Sequence, residues 1–182
     1  MTARRPQPKE KPRLRRATLD DVDLLVEHRV AMFREMGGRS RAALASHRPE
    51  YLAWLAPRLV RAELVAFVAE DSKGAPMGSG AVWFRPSHPG PGWPAARAPY
   101  ILSMYTVPAG RGRGVATAIV KEVAALSRRL GYRRISLHAS AMGRGVYERM
   151  RFLTTTEMQL PLTPTERRRM LRGRKAAEAG RR

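Results

Sequence analysis

Tyr100-Ile-Leu-Ser-Met-Tyr-Thr-Val-Pro-Ala-Gly-Arg-Gly-Arg-Gly-Val-Ala-Thr117 joins a strand-like run to a helix-like run through a turn rich in glycine and arginine. The run up to Val107 is apolar, aromatic and β-branched, and Pro108 ends it because proline cannot donate to a ladder. Beyond the turn, Ala116, Ile119, Val120, Val123, Ser127 and Leu130 recur at helical intervals, an amphipathic stripe that Gly131 stops. Arg111, Gly112, Arg113 and Gly114 therefore lie at a helix N-terminus. Unpaired N–H groups and the positive end of the helix dipole favour an anion there, and Gly112 and Gly114 let the backbone approach it. The junction is suited to holding phosphate.

Two common phosphate-binding signatures do not fit it. A P-loop needs lysine and then serine or threonine after its last glycine, whereas Val115 and Ala116 follow Gly114. A dinucleotide fold needs G-x-G-x-x-G, and the alternation of Gly110, Gly112 and Gly114 lacks that spacing. Arg111-Gly-Arg-Gly-Val-Ala116 instead resembles the R/Q-x-x-G-x-G/A signature of the GNAT superfamily of N-acetyltransferases.

The resemblance continues downstream. After the helix, Arg134-Ile-Ser-Leu-His138 reads as a strand, and Gly143-Arg-Gly-Val-Tyr-Glu-Arg-Met150 as a second helix. Tyr147-Glu-Arg-Met-Arg-Phe152 is similar to the family's Y-E-x-x-G-F segment, with Arg151 where glycine is usual. Arginine tolerates the left-handed conformation less well than glycine, so this departure bears on the helix end more than on the chemistry. Ser140 precedes the helix where many relatives carry an asparagine that helps hold the pantetheine arm, and is a candidate substitute.

Upstream, Arg13-Leu-Arg-Arg-Ala-Thr18 reads as a strand, and Thr18 or Asp20 as the cap of a helix with Val22, Leu25, Val26, Arg29, Val30 and Phe33 on one stripe. That helix should stop at Gly37 and Gly38. A second helical region over about 39–64 is expected to be interrupted by Pro49 and Pro57. Strands over 65–70 and 78–84 follow, separated by a turn at Ser72-Lys-Gly74. The five prolines and two glycines of residues 86–99 predict a loop. The order β-αα-β-β-β-α-β-α-β is the GNAT order.

The resemblance implies an α/β (α+β) fold over residues 13–162, with a mixed, mostly antiparallel central sheet of six to seven strands flanked by helices. A splayed strand pair would hold acetyl-CoA. The backbone of Met104, Tyr105, Thr106 and Val107 would pair with the pantetheine amides. The N–H groups of Arg111, Gly112, Arg113, Gly114, Val115, Ala116 and Thr117 would hold the pyrophosphate. The implied activity is acetyl transfer to a primary amine of a small molecule or protein. Tyr147 matches the residue to which the family gives the proton for the departing thiolate, and a phenol, with an ordinary pKa of about 10, has that proton to donate. Its plainer reading is an aromatic that packs helix to sheet. Glu35, at the end of the first helix, is a candidate base for the amine, and equally a solvated helix residue. His138 is a candidate relay, though a lone histidine more often serves structure. Ser103 and Tyr105 share a strand face by alternation.

The chain of 182 residues suits one domain, and no apolar run is long enough to span a membrane. With no cysteine there is neither disulfide nor thiol nucleophile, and His28, His47 and His88 lack a metal-ligand spacing, so no metal is expected. The N-terminus is basic without the apolar segment of a secretory signal, so a cytoplasmic location is expected. Of the net charge of +20, +12 falls in residues 1–16 and 163–182, and residues 1–12 and 163–182 are read as flexible tails. They would bind RNA, the ribosome or another polyanion by counterion release, or they are simply solvated, and the second reading carries more weight. Two rivals to the acetyltransferase reading stand beside it: a basic nucleic-acid or ribosome-binding protein on the same scaffold, and an acyltransferase using a longer acyl-CoA. The acceptor is not legible, and a homodimer is left open.

Overall fold

A computed structural model describes residues 11–37, 39–89, 96–165, 167–168 and 170–171. The chain divides into two units, Met1–His138 and Ala139–Arg182. The first holds a five-stranded sheet in the order β1 (Arg13–Arg16), β2 (Leu64–Glu70), β3 (Pro76–Pro86), β4 (Arg97–Thr106), β5 (Ser136–Leu137). The first four strands are antiparallel neighbours and β5 joins β4 in parallel. This is the mixed, mostly antiparallel sheet expected, with five strands among the described residues rather than six or seven.

β2 is buried at every position because both sheet faces are covered. On one face lie α1 (Val22–Met36) and α2 (Arg41–Val60), whose Val22, Leu25, Val26, Tyr51 and Leu55 pack with Leu64, Ala66, Val68 and Ala81. Against the other face packs α3 (Val115–Arg129), which buries Ile119, Val120, Val123 and Ser127 of the stripe read from the sequence and Val115 besides, while Leu130 of that stripe is exposed. Among the described residues no helix is long and apolar enough to cross a membrane.

α2 corrects one expectation. Pro49 and Pro57 lie inside an unbroken 20-residue helix. Each proline removes one backbone donor and crowds the preceding turn. The buried Leu44, Tyr51 and Leu55 hold the helix across those two defects. The strand expected over 134–138 shortens to Ser136–Leu137, paired only with Tyr100 and Ile101. Beyond Ile101, β4 bulges and departs from a straight course, so the ladder ends.

At the sheet edge, Arg15 on β1 grips the buried Asp21 with two bonds of 2.7 Å and also pairs with the buried Glu70. The guanidinium holds both carboxyls below their ordinary values of 3.8 and 4.5. A depressed carboxyl contributes stability above its ordinary pKa and loses it as pH falls further. Arg15→Gln is therefore expected to cost about 2–3 kcal/mol at pH 7, less than for a fully buried pair because Arg15 is partly exposed. The cost should shrink as pH falls below the ordinary carboxyl values and through the lowered ones, and denaturant melts at pH 7 and at pH 2 measure it. An equal loss at both would refute the electrostatic account.

The second unit contains α4 (Ala141–Arg149), longer at its start than the expected 143–150 because Ser140 caps it: its Oγ accepts the Gly143 N–H at 3.1 Å. Arg151 adopts the left-handed conformation, φ +64°, that glycine usually fills in the related motif. Residues 152–162 form no strand, and Leu153, Met158, Leu160 and Leu162 are exposed.

Candidate active site

The site is built around an irregularity in β4. Ser79 pairs with Tyr105 and Ala81 with Leu102, so Ser103 and Met104 both oppose Gly80. This is a β-bulge, with Ser103 at φ +53°. Gly80 leaves the room that the Met104 side chain fills. A Cβ there would stand 2.1 Å from the Met104 sulfur. The bulge directs Met104 toward Ile119 of α3, while Ser103 and Tyr105 face α1 and α2.

Among the described residues, β4 has no strand partner on its β5 side from Leu102 to Thr106. That edge leads through a short 3-10 turn at Pro108–Gly110 into residues 111–114 and α3. Gly112 and Gly114 take positive φ values of 70° and 79°. No side chain caps α3, and the first amide to find a carbonyl is that of Ala118, on Gly114 at 2.9 Å. The amides of the first turn thus remain available, and a Cβ at Gly114 would meet only open space. Exposed strand amides and carbonyls running into unpaired helix amides fit a ligand with an amide arm and a phosphate end.

Glu35, on the last turn of α1, joins this edge. Its carboxylate accepts the Tyr105 hydroxyl at 3.0 Å and pairs with the Arg111 guanidinium. Three residues singled out in the sequence thereby come together from α1, β4 and the turn. Burial and the adjacent Glu35 push the Tyr105 phenol up. Beside it, the His28 ring lies tilted against Tyr105 at 5.2 Å and shares a 2.9 Å hydrogen bond with Ser79; burial lowers its pKa.

His138 is not brought to this group. It is exposed, and its Nδ1 meets the Tyr100 hydroxyl at the β4–β5 pairing. Ser140 spends its Oγ on the α4 cap, which gives it a structural task in place of the ligand contact expected. Tyr147 is half-buried in α4, its ring edge-on to Phe152 at 5.6 Å, and burial raises its phenol pKa. Among the described residues no three His, Asp or Glu side chains gather as metal ligands. Most of the basic ends, residues 1–10 and 172–182, lie outside the described residues.

Sequence reading passed over a cluster on the α1–α2 side. Arg29 donates from Nε to His47 at 2.9 Å and from Nη1 to Ser103 at 2.8 Å, and Tyr51 shares a 3.0 Å bond with the same Ser103 oxygen. The signal was present: arginine in an otherwise apolar stripe needs buried partners.

Compared with known proteins, residues 25–152 match the family model described as the acetyltransferase (GNAT) family. The chain is similar to a GCN5-related N-acetyltransferase from Ralstonia eutropha JMP134, at 34% identity over 83% of this chain and 98% of that one, TM-score 0.76. It is also similar to a predicted acetyltransferase from Clostridium acetobutylicum solved with acetyl-CoA, at 28% identity over 83% and 96%, TM-score 0.75. Glucosamine-6-phosphate N-acetyltransferase from Arabidopsis thaliana shares the fold at 14% identity over 85% and 99%, TM-score 0.57. No curated protein matches.

Proposed function

The chain belongs to the GNAT acetyltransferase family, and from that premise we propose that it transfers an acetyl group from acetyl-CoA to a primary amine. The observation that carries the reading is the unpaired β4 edge running into the open first turn of α3. Backbone groups of Met104, Tyr105, Thr106 and Val107 would align the pantetheine arm as an added strand does. The amides of Gly112, Gly114, Val115, Ala116 and Thr117 would hold the pyrophosphate, with Arg113 adding charge, while those of Arg111 and Arg113 already donate to Pro108 and Gly110. Acetyl-CoA supplies the acetyl thioester. The similar protein from Clostridium acetobutylicum, solved with acetyl-CoA, supports this choice of donor.

Attack needs a neutral amine, so the ammonium of the acceptor must lose a proton. Glu35 is the group we assign to this. Its carboxylate has a second partner in Tyr105, which keeps it oriented when Arg111 turns to phosphate. The proton for the leaving thiolate we assign to Tyr147, on its match to the family motif and on its burial, which keeps the phenol protonated through neutral pH. The test is calorimetric titration with acetyl-CoA, in moderate salt, of the wild type and an Arg111→Ala, Arg113→Ala double variant. Saturable one-to-one binding, weakened about 10-fold or more in the variant, is expected. Absence of binding would sink the reading.

A further inference from the structure

Seven arginines, Arg13, Arg15, Arg48, Arg97, Arg111, Arg129 and Arg144, form ion pairs with carboxylates. Arg58, without one, lays its charge on the Trp54 carbonyl in the last turn of α2. Arg29 is different. It is half-buried, its bonds go to the neutral His47 and Ser103, and it lies 4.3 Å from the centre of the Tyr51 ring and 4.8 Å from that of Phe33. A second guanidinium, Arg39, lies 4.5 Å from the same Phe33 ring. Among the described residues neither arginine pairs with a carboxylate; Glu50 acts only at a distance, on His47.

Two cations on one ring, one of them withdrawn from water, make an arrangement that an anion would relieve. Arg29 uses two of five N–H donors on His47 and Ser103, so its Nη2 hydrogens remain to donate to a carboxylate. The two aromatic rings fix the guanidinium, so little ordering is left for a ligand to impose. The cluster is tied to the proposed reaction through β4: Arg29 touches Ser103, and Glu35 touches Tyr105 two residues on. Both groups thus meet the same short stretch of β4, at its bulge. Resting on the acetyltransferase reading, we propose that Arg29 and Arg39 bind a carboxylate of the acceptor, so that the substrates are amino acids or kindred amines bearing a carboxylate. Polycationic amines would be repelled.

The test compares turnover of a panel of free amino acids with that of their C-terminal amides. The wild type should favour the acid of its best pair by at least 10-fold in kcat/KM. That preference should vanish in Arg29→Gln and fall several-fold in Arg39→Ala, whose exposed side chain can be removed without disturbing the core. Equal use of acid and amide, or a preference that survives both variants, would overturn the proposal. If neither acids nor amides are acetylated although acetyl-CoA binds, the substrate class is wrong; if acetyl-CoA itself fails to bind, the underlying reading has failed. In that second case acetate is the probe: NMR shifts at Arg29 Nε and the His47 ring, lost in Arg29→Gln, would support the anion site, and unmoved signals would overturn it.

Discussion

Glu35→Gln should lower kcat on the preferred amine by about 10²-fold to 10³-fold, the usual worth of a positioned general base. Glutamine keeps the shape and can still accept the Tyr105 hydroxyl, but it cannot take a proton or pair with Arg111. Loss of that pair gives the experiment a second readout. An ion pair this exposed is worth under about 1 kcal/mol, so releasing Arg111 toward phosphate should tighten acetyl-CoA by at most about fivefold. Slow turnover with unchanged or tighter acetyl-CoA binding identifies Glu35 as the base. Full turnover with tighter binding would reduce it to a counterion for Arg111.

Gly78→Ala is expected to be the most damaging single methyl in the sheet. Its Cβ would stand 2.4 Å from the Tyr105 carbonyl oxygen and 2.9 Å from Val115 Cγ1, where β3, β4 and the start of α3 converge. Backbone cannot yield as a flexible side chain can, so the cost should be about 3 kcal/mol, or a melting temperature lower by roughly 6–12 °C. Acetyl-CoA affinity should fall with it, because the displaced atoms belong to the edge proposed to hold the pantetheine arm. Gly74→Ala is the control. Unlike Gly78 it has a positive φ, but its Cβ would meet nothing within 4 Å, so about 1 kcal/mol is expected. Equal melting temperatures for the two would refute the packing argument.

The β4–turn–α3 unit was legible because each of its signals is local: a β-rich run, a proline stop, glycines at left-handed positions and a helical stripe of five buried residues. The bulge was not legible. Its extra residue is Ser103, which carries no turn signature, and the room that Met104 fills beside it is left by Gly80 on another strand. Pro49 and Pro57 misled for the opposite reason, since local chemistry argues for a break and tertiary burial of Tyr51 and Leu55 overrides it. Glu35 was placed at the site through its family position, but its partners Tyr105 and Arg111 lie 70 and 76 residues away, beyond any periodicity. Arg29 was counted in the stripe without its meaning being read.

β1 is only four residues long and is the outermost strand on its side of the sheet, with Arg13, Arg15 and Arg16 among its side chains. An outer strand, which β1 is among the described residues, is ordinarily an invitation to intermolecular β-pairing and aggregation. Here Arg13 and Arg15 are offset by Glu70 and Asp21, and Arg16 leaves the border with an excess of positive charge. A second such strand brought alongside would carry the same charge and be repelled, so the border acts as a gatekeeper against fibril growth at high concentration.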